Sequence, residues 1–353
     1  MNNIKSLQQR LPEGSLCLIQ NPLNLRYFTG SDIDTGTLVI SPQKASFITD
    51  FRYIEVAKKH FAATDILVVL QAKLNENIKA LFEKNTQKLF VETDYQTISK
   101  QAFFDELGIA VDYSDFLERE IGALREKKNE WEIEKIRHAQ KITDDAFSHI
   151  LKFIKVGAKE KDIALEIEYF MRKQGAQDVS FDLIVVSGKN TSLPHGVPSE
   201  KMIENGDFVT MDIGCKVDGY CSDMTRTVAV GTPSEKMKEV YEVVLQAQQK
   251  ALEKIRAGAR IGDVDKAARD YIYECGYQGC FGHSTGHGVG LYIHENPKVY
   301  HTNDSVLQEN SVITVEPGIY LENEFGVRIE DMVLVTKDGY MNFTKSPKDL
   351  IIL

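Results

Sequence analysis

The chain has 353 residues, of which 42% are hydrophobic and 27% charged, and this composition is typical of a folded globular protein. Its formal net charge of −10 at pH 7 disfavours nucleic acid as a partner. No apolar run is long enough to span a bilayer. We find no secretory leader at the N-terminus, and the five cysteines form no C-x-x-C pair. The sequence therefore predicts a cytoplasmic protein without a membrane partner, whose thiols are inert.

The first third of the chain alternates short strands with amphipathic helices, which predicts a small α/β domain. The predicted strands are 15–19, 37–40, 45–48, 66–70 and 88–91, and the predicted helices are 4–11, 52–60, 74–84 and 95–107. Near Leu124 the composition changes, because a charged segment there runs into apolar residues spaced as one face of a long helix, namely Ile136, Ala139, Ile142, Ala146 and Ile150. We therefore predict two domains, 1–125 and 126–353.

Three further helices are predicted in the second domain. A helix over 159–174 should end at Gly175, because glycine adopts the left-handed conformation that closes many helices. The next helix should run from 232 towards 255, with Thr232 as its cap and Pro233 at its first helical position. A third is predicted over 264–275.

Two segments of the second domain resemble each other, and each carries two acids. Residues 209–214 and 313–318 are apolar strands with an acid late in the strand and a glycine two residues further on. After Asp212 the chain passes a turn and returns to Asp223, and after Glu316 it returns in the same way to Glu330. This pattern predicts two β-hairpins with one acid on each strand. Four acids in apolar strands need a cation, a basic partner or protons.

Histidines are concentrated between the two hairpins. His283, His287 and His294 lie within twelve residues, interleaved with glycines, and His195 lies in a Leu-Pro-His-Gly loop. Carboxylates with imidazole predict a site for divalent ions, Mn²⁺ or Co²⁺ ahead of Zn²⁺ or Fe²⁺. Four carboxylates carry enough charge to balance two dications. The alternative is structural, since a buried acid is often an ion-pair partner and Glu-Pro-Gly can form a simple turn.

Several motifs carry a resemblance to a known family. They are Met211–Gly214, Cys221–Thr227, His283–Pro297, Val315–Gly318 and Val327–Asp331, with looser matches at Asn24–Gly30 and Thr49–Tyr53. Through them the whole chain resembles the pita-bread-fold metallopeptidases, in the branch of Xaa-Pro dipeptidase (prolidase) and Xaa-Pro aminopeptidase. The resemblance implies an α+β fold, in which a smaller α/β creatinase-type N-terminal domain precedes a pita-bread catalytic domain. It also implies hydrolysis of the peptide bond preceding proline.

The same resemblance implies roles for individual residues. The implied ligands of a dinuclear site are Asp212, Asp223, His287, Glu316 and Glu330, with Asp223 and Glu330 bridging the ions. His195, His283 and His294 would surround the substrate, and Glu316 would also carry the proton from water to the leaving nitrogen. Arg328 would bind a substrate carboxylate or, equally, hold a ligand carboxylate as an ion-pair partner.

Other functions remain open at this point. Methionine aminopeptidase shares the catalytic fold, creatinase shares the two-domain plan without a metal, and a non-catalytic pita-bread protein would only bind peptides. Within the favoured branch, the sequence does not distinguish a dipeptidase from an aminopeptidase. The family also suggests a homodimer, in which residues 31–36 would close a neighbouring subunit's cleft or form a solvated turn.

Overall fold

The computed structural model describes residues 2–353, and the chain divides into two compact units between Arg125 and Glu126. The strands of the N-terminal unit are β1 (Ser15–Ile19), β2 (Thr37–Ile40), β3 (Ala45–Thr49), β4 (Ile66–Leu70), β5 (Lys88–Val91) and β6 (Ala110–Asp112). The helices are α1 (Asn2–Gln8), α2 (Pro22–Thr29), α3 (Ile54–Phe61), α4 (Leu74–Ala80), α5 (Gln101–Asp105) and α6 (Phe116–Glu126). In the described part of the chain, no helix is both long and apolar enough to cross a membrane.

The N-terminal unit is built on one six-stranded sheet in the order β4-β3-β2-β1-β5-β6. Strands β1, β2 and β3 are antiparallel neighbours, whereas β4, β5 and β6 each join a neighbour in parallel. The five predicted strands are all present. The predicted helix 95–107 is wrong in extent, because only a 3-10 turn and the short α5 form there. Sequence reasoning also missed α2, which Asn21 caps and Gly30 closes with a φ of 64°.

The C-terminal unit combines four helices with several small sheets. Its helices are α7 (Glu130–Ile150), α8 (Glu160–Lys173), α9 (Glu235–Leu252) and α10 (Ile261–Glu274). Its strands are β7 (Asp178–Val179), β8 (Ile184–Ser187), β9 (Phe208–Ile213), β10 (Cys215–Val217), β11 (Tyr220–Cys221), β12 (Met224–Ala229), β13 (Gly286–Gly288), β14 (Glu295–Val299), β15 (Val312–Val315), β16 (Gly318–Leu321), β17 (Phe325–Arg328), β18 (Asp331–Val335) and β19 (Tyr340–Asn342).

Two apolar cores hold these helices against the sheets. One packs α7 and α8 against the sheet β12-β9-β8, and the other packs α9 and α10 against β15 and β18 of the sheet β14-β13-β15-β18-β19. The predicted apolar face of α7 is buried, as expected. The predicted start of α9 is wrong by two residues, because Ser234, and not Thr232, accepts a hydrogen bond from the backbone N–H of Met237.

Candidate functional site

Both predicted hairpins exist, and each is interrupted where its acids lie. In the first hairpin β9 pairs with β12, and the β10–β11 pair lies between these two strands in the sequence. In the second hairpin β15 pairs with β18, and the β16–β17 pair lies between them in the sequence. Asp212 lies within β9 as predicted, whereas Asp223, Glu316 and Glu330 lie in two-residue gaps between strands. The prediction of one acid on each strand is therefore wrong for these three. In a regular strand successive side chains alternate between the faces, and the gaps relieve that constraint so that the carboxylates can converge.

Strand β13 carries His287 between two glycines, and both glycines are required by close packing. A Cβ atom on Gly286 would overlap the carbonyl oxygen of Thr314, and one on Gly288 would overlap that of Asn296. These contacts let β13 lie closely between β14 and β15. The His287 ring uses Nδ1 towards the carbonyl oxygen of Gly288 at 3.1 Å and directs Nε2 towards the acids.

The acids and His287 form one cluster, in which Asp223 and Glu330 are buried and the others half-buried. Ligand atoms of Asp223, His287 and Glu330 all lie within 4.8 Å of one another. The Nε2 atom of His287 is 3.4 Å from Oε1 of Glu316. Oδ1 of Asp212 is buried, and none of the described residues 2–353 forms a hydrogen bond with it. Divalent cations bind carboxylate oxygens and imidazole nitrogens, and the oxygen of Asp212 that accepts no hydrogen bond from the described residues is such a ligand atom. These residues therefore fit the metal centre that the sequence predicts.

The pKa shifts of the acids also fit a metal centre. Burial raises the pKa of Asp223 well above its usual value, and the charges of Glu330 and Asp212 raise it further. Burial likewise raises the pKa of Glu330 well above its usual value, followed by the charges of Glu316 and Asp212. Without a cation these carboxyl groups hold a proton more strongly than a free carboxyl group does, and a binding metal ion would compete with that proton.

The histidines are shifted in the opposite direction. Burial lowers the pKa of His283 and of His287, and partial burial together with His287 lowers that of His294. A neutral imidazole is the form that binds a metal or accepts a proton. At neutral pH the three rings are therefore in the form that both roles require.

Hydroxyl and guanidinium groups orient the carboxylates. Thr225 donates to Oε2 of Glu330 at 2.8 Å, and Thr314 donates to Oε1 of Glu316 at 3.2 Å. Arg328 donates from Nη2 to Oδ2 of Asp212 at 2.7 Å. Such partners fix the direction from which a carboxylate can approach an ion.

Arg328 is buried, and each nitrogen of its guanidinium already has a partner. Besides Asp212, it donates from Nε to the hydroxyl of Thr225 at 3.0 Å. Its Nη1 donates to the hydroxyl of Tyr320 at 2.9 Å and to the carbonyl oxygen of Pro194 at 3.3 Å. This geometry favours the second of the two roles expected for Arg328, the holding of a ligand carboxylate.

The three predicted substrate histidines lie around the cluster. The His294 ring is exposed and stands edge-on to His287, with the ring centroids 4.5 Å apart. The Nε2 atom of His283 lies 2.9 Å from the hydroxyl of Tyr320. His195 is exposed on its loop, and its charge acts on the pKa of both His283 and His294.

Sequence reasoning missed two residues of this site. The half-buried Tyr320 joins His283 to Arg328 through its hydroxyl group, and no sequence motif indicated it. Lys298 lies directly opposite His287 in the β13–β14 pair, which places both side chains on one face of the sheet. It is exposed, and no carboxylate in the described part of the chain pairs with it. Only the register of the strands could reveal this position.

Comparison with known proteins identifies relatives of both units. The model of metallopeptidase family M24 matches residues 134–337, and that of the creatinase/prolidase N-terminal domain matches residues 4–127. A Xaa-Pro dipeptidase of Pyrococcus horikoshii is 39% identical over 96% of this chain and 94% of its own. The structure of a Xaa-Pro dipeptidase from Bacillus anthracis matches with a TM-score of 0.95 and 45% identity, covering 100% of this chain and 99% of that one. The X-Pro aminopeptidase of Thermotoga maritima matches with a TM-score of 0.88 and 37% identity, over 98% and 100% of the two chains.

Proposed function

Because the chain belongs to metallopeptidase family M24, we propose that it hydrolyses the peptide bond preceding proline with the help of two divalent metal ions. The observation that carries this proposal is the convergence of buried acids on His287, with an orphaned oxygen on Asp212. Relatives of similar length named Xaa-Pro dipeptidase and X-Pro aminopeptidase support the substrate class.

In this proposal the residues that would hold the two metal ions are Asp212, Asp223, His287, Glu316 and Glu330. The predominance of carboxylates supports Mn²⁺ or Co²⁺, with Zn²⁺ or Fe²⁺ as alternatives. Bound divalent ions supply Lewis acidity, which polarises a carbonyl group and lowers the pKa of water. Arg328 holds Asp212 in place through the bond described above.

The side chains supply the proton transfers and the orientation of the substrate. Glu316 takes a proton from the attacking water and delivers it to the leaving nitrogen, as a positioned carboxylate can. Burial raises the pKa of Glu316 above its usual value. His283, His294 and His195 surround the substrate, where they orient the scissile carbonyl group and stabilise the tetrahedral intermediate as negative charge develops on its oxygen. The nitrogen of a bond to proline carries no hydrogen, so the site recognises the shape of the ring instead.

The role of His294 can be separated from metal binding. We expect His294→Ala to lower kcat for Ala-Pro by about 100-fold, because the ring assists the reaction without being a ligand. Metal content by mass spectrometry should be retained, and His287→Ala should lose metal as well as activity. Loss of metal in His294→Ala would mean that His294 is itself a ligand.

Lys298 offers a means to distinguish a dipeptidase from an aminopeptidase. A dipeptide ends in a carboxylate close to the scissile bond, and Lys298 is a cation on the face of the sheet that carries His287. A hydrogen bond to a charged group contributes about 1.5–3 kcal/mol, so we expect Lys298→Gln to raise KM for Ala-Pro at least tenfold. KM for a longer Ala-Pro peptide should change little. The exposed Lys337→Gln is the control, and an equal effect of Lys298→Gln on both substrates would exclude this role.

The proposed function is tested by removing metal with a chelator, reloading with Mn²⁺ and following three substrates. These are Ala-Pro, a longer peptide that begins Ala-Pro, and one that begins Met-Ala. Cleavage of Ala-Pro alone identifies a dipeptidase, and release of Ala from the longer peptide identifies an aminopeptidase. Preferential release of Met would indicate methionine aminopeptidase activity. The absence of any metal-dependent cleavage would favour a peptide-binding protein.

The setting of the enzyme is also part of the proposal. All five cysteines are free thiols, which supports a reducing compartment such as the cytoplasm. The family resemblance supports a homodimer, with residues 31–36 near the neighbouring subunit's cleft. Sedimentation equilibrium tests the oligomeric state directly.

A further inference from the structure

We propose that Glu160 is a positioning residue that sets the His195 loop, defined as residues 187–199. Glu160 is the first residue of α8 and is completely buried. No cation in the described part of the chain forms an ion pair with its carboxylate, and the neighbouring Lys159 and Lys161 pair with Glu200, so hydrogen bonds must offset much of the cost of burying it. The positive end of the dipole of α8 favours a carboxylate at this position but does not determine which groups donate hydrogen bonds to it.

The carboxylate of Glu160 holds both ends of the His195 loop. Its Oε1 atom accepts from the backbone N–H of Ser187 at 2.6 Å and from the hydroxyl of Ser187 at 2.9 Å. Its Oε2 atom accepts from the backbone N–H of Ser199 at 3.0 Å and from the hydroxyl of Ser199 at 2.6 Å. The side chain of Asn190 donates to Oε1 at 3.1 Å. One buried side chain therefore fixes the beginning, the interior and the end of the loop.

The opposite side of the loop is bound to the strand that leads to the metal ligands. Thr191 accepts a hydrogen bond from the backbone N–H of Gly326 in β17 at 2.8 Å. Arg328, at the end of β17, donates to the carbonyl oxygen of Pro194, the residue before His195. The His195 side chain is exposed, so its position depends on the backbone that Glu160 holds.

Only a carboxylate satisfies all these donors. Each oxygen of Glu160 accepts from one backbone N–H, that of Ser187 or that of Ser199. In Glu160→Gln the amide NH₂ would face one of these N–H groups in either orientation, and two donors repel each other. The substitution preserves the shape of the side chain but removes one of the two acceptors for these backbone N–H groups. We therefore expect the His195 loop to loosen at one end.

The inference rests on the proposed role of His195 in substrate binding, and a double-mutant cycle tests the two separately. With Ala-Pro as substrate, we expect His195→Ala to lower kcat/KM by itself, and Glu160→Gln to lower it by about tenfold with metal content retained. If Glu160 acts through His195, the double variant should be no slower than His195→Ala, within about twofold. Two losses that multiply in the double variant would overturn the inference. An unchanged rate in His195→Ala would refute the role of His195 and the inference with it.

A control and a second readout separate positioning from general stability. Asp162→Asn removes one charge from the same first turn of α8 but lies on the exposed face, so its rate should match the parent's. Hydrogen exchange should accelerate over 187–199 in Glu160→Gln and not in Asp162→Asn. If Glu160→Gln does not fold, Ser199→Ala removes one donor to Glu160 and repeats the cycle with His195→Ala. Multiplying losses or unchanged exchange in that variant would equally overturn the proposal.

Discussion

Replacing Asp223 with alanine is expected to abolish hydrolysis and to reduce bound metal. Asp223 lies at the centre of the cluster, with ligand atoms within 4.8 Å of those of His287 and Glu330. Loss of a partner that only orients a metal ligand already costs about 10–100-fold, so loss of a ligand itself should lower kcat/KM by more than about 100-fold. The checks are metal content by mass spectrometry and Ala-Pro hydrolysis on the same samples.

The control for this change is Asp338→Ala, which removes an exposed carboxylate from the turn between β18 and β19. Its rate and metal content should equal those of the parent protein. Full activity in Asp223→Ala would contradict the ligand assignment. A circular dichroism spectrum identical to the parent's would show that the loss is not one of folding.

Replacing Arg226 with methionine is expected to produce the largest loss of stability. The side chain is 1% exposed and forms an ion pair with Asp331 at 2.8 Å. It also donates to the carbonyl oxygens of Thr225, Glu330, Ser346 and Pro347. Removing one partner of a buried ion pair costs about 3–5 kcal/mol, because the other charge is left poorly compensated. We expect Tm of the metal-free protein to fall by roughly 6–20 °C.

The metal-free form is used because bound metal would mask part of the loss through ligand linkage. Lys348 also forms an ion pair with Asp331, at 2.7 Å, so the Asp331 carboxylate keeps one cationic partner in the variant. Arg137→Met, at an exposed ion pair with Glu134, should change the free energy of unfolding by less than about 1 kcal/mol. A Tm of Arg226→Met close to that of Arg137→Met would show that the buried pair contributes little.

The predicted α+β fold with a creatinase-type N-terminal domain is confirmed. Short-range periodicity was sufficient for the five predicted strands and the buried face of α7, whereas the creatinase-type and pita-bread domains were implied by the resemblance. The start of α9 was misplaced because Thr-Pro-Ser-Glu contains two residues able to cap, and only the observed bond to Met237 selects Ser234. Helix α2 was missed although Asn21 and Gly30, which cap and close it, are residue types that often mark the two ends of a helix.

The candidate site divides in the same way. Its acids and histidines lie in compact motifs, so sequence and resemblance could propose them as candidates. Other residues could not be named in this way. Tyr320 and Glu160 form hydrogen bonds with residues distant in sequence, His283 and Ser199, and Lys298 lies opposite His287 only because of strand register. No single-sequence pattern specifies such pairs, because tertiary packing decides them.

The measurement that tests the central claim most directly is a titration of the chelated protein with Mn²⁺, with bound metal and Ala-Pro hydrolysis followed on the same samples. The account predicts no hydrolysis without metal and a rate that rises with bound metal until two ions are held per chain. Hydrolysis that survives complete removal of metal, or full metal binding without any cleavage before proline, would contradict it.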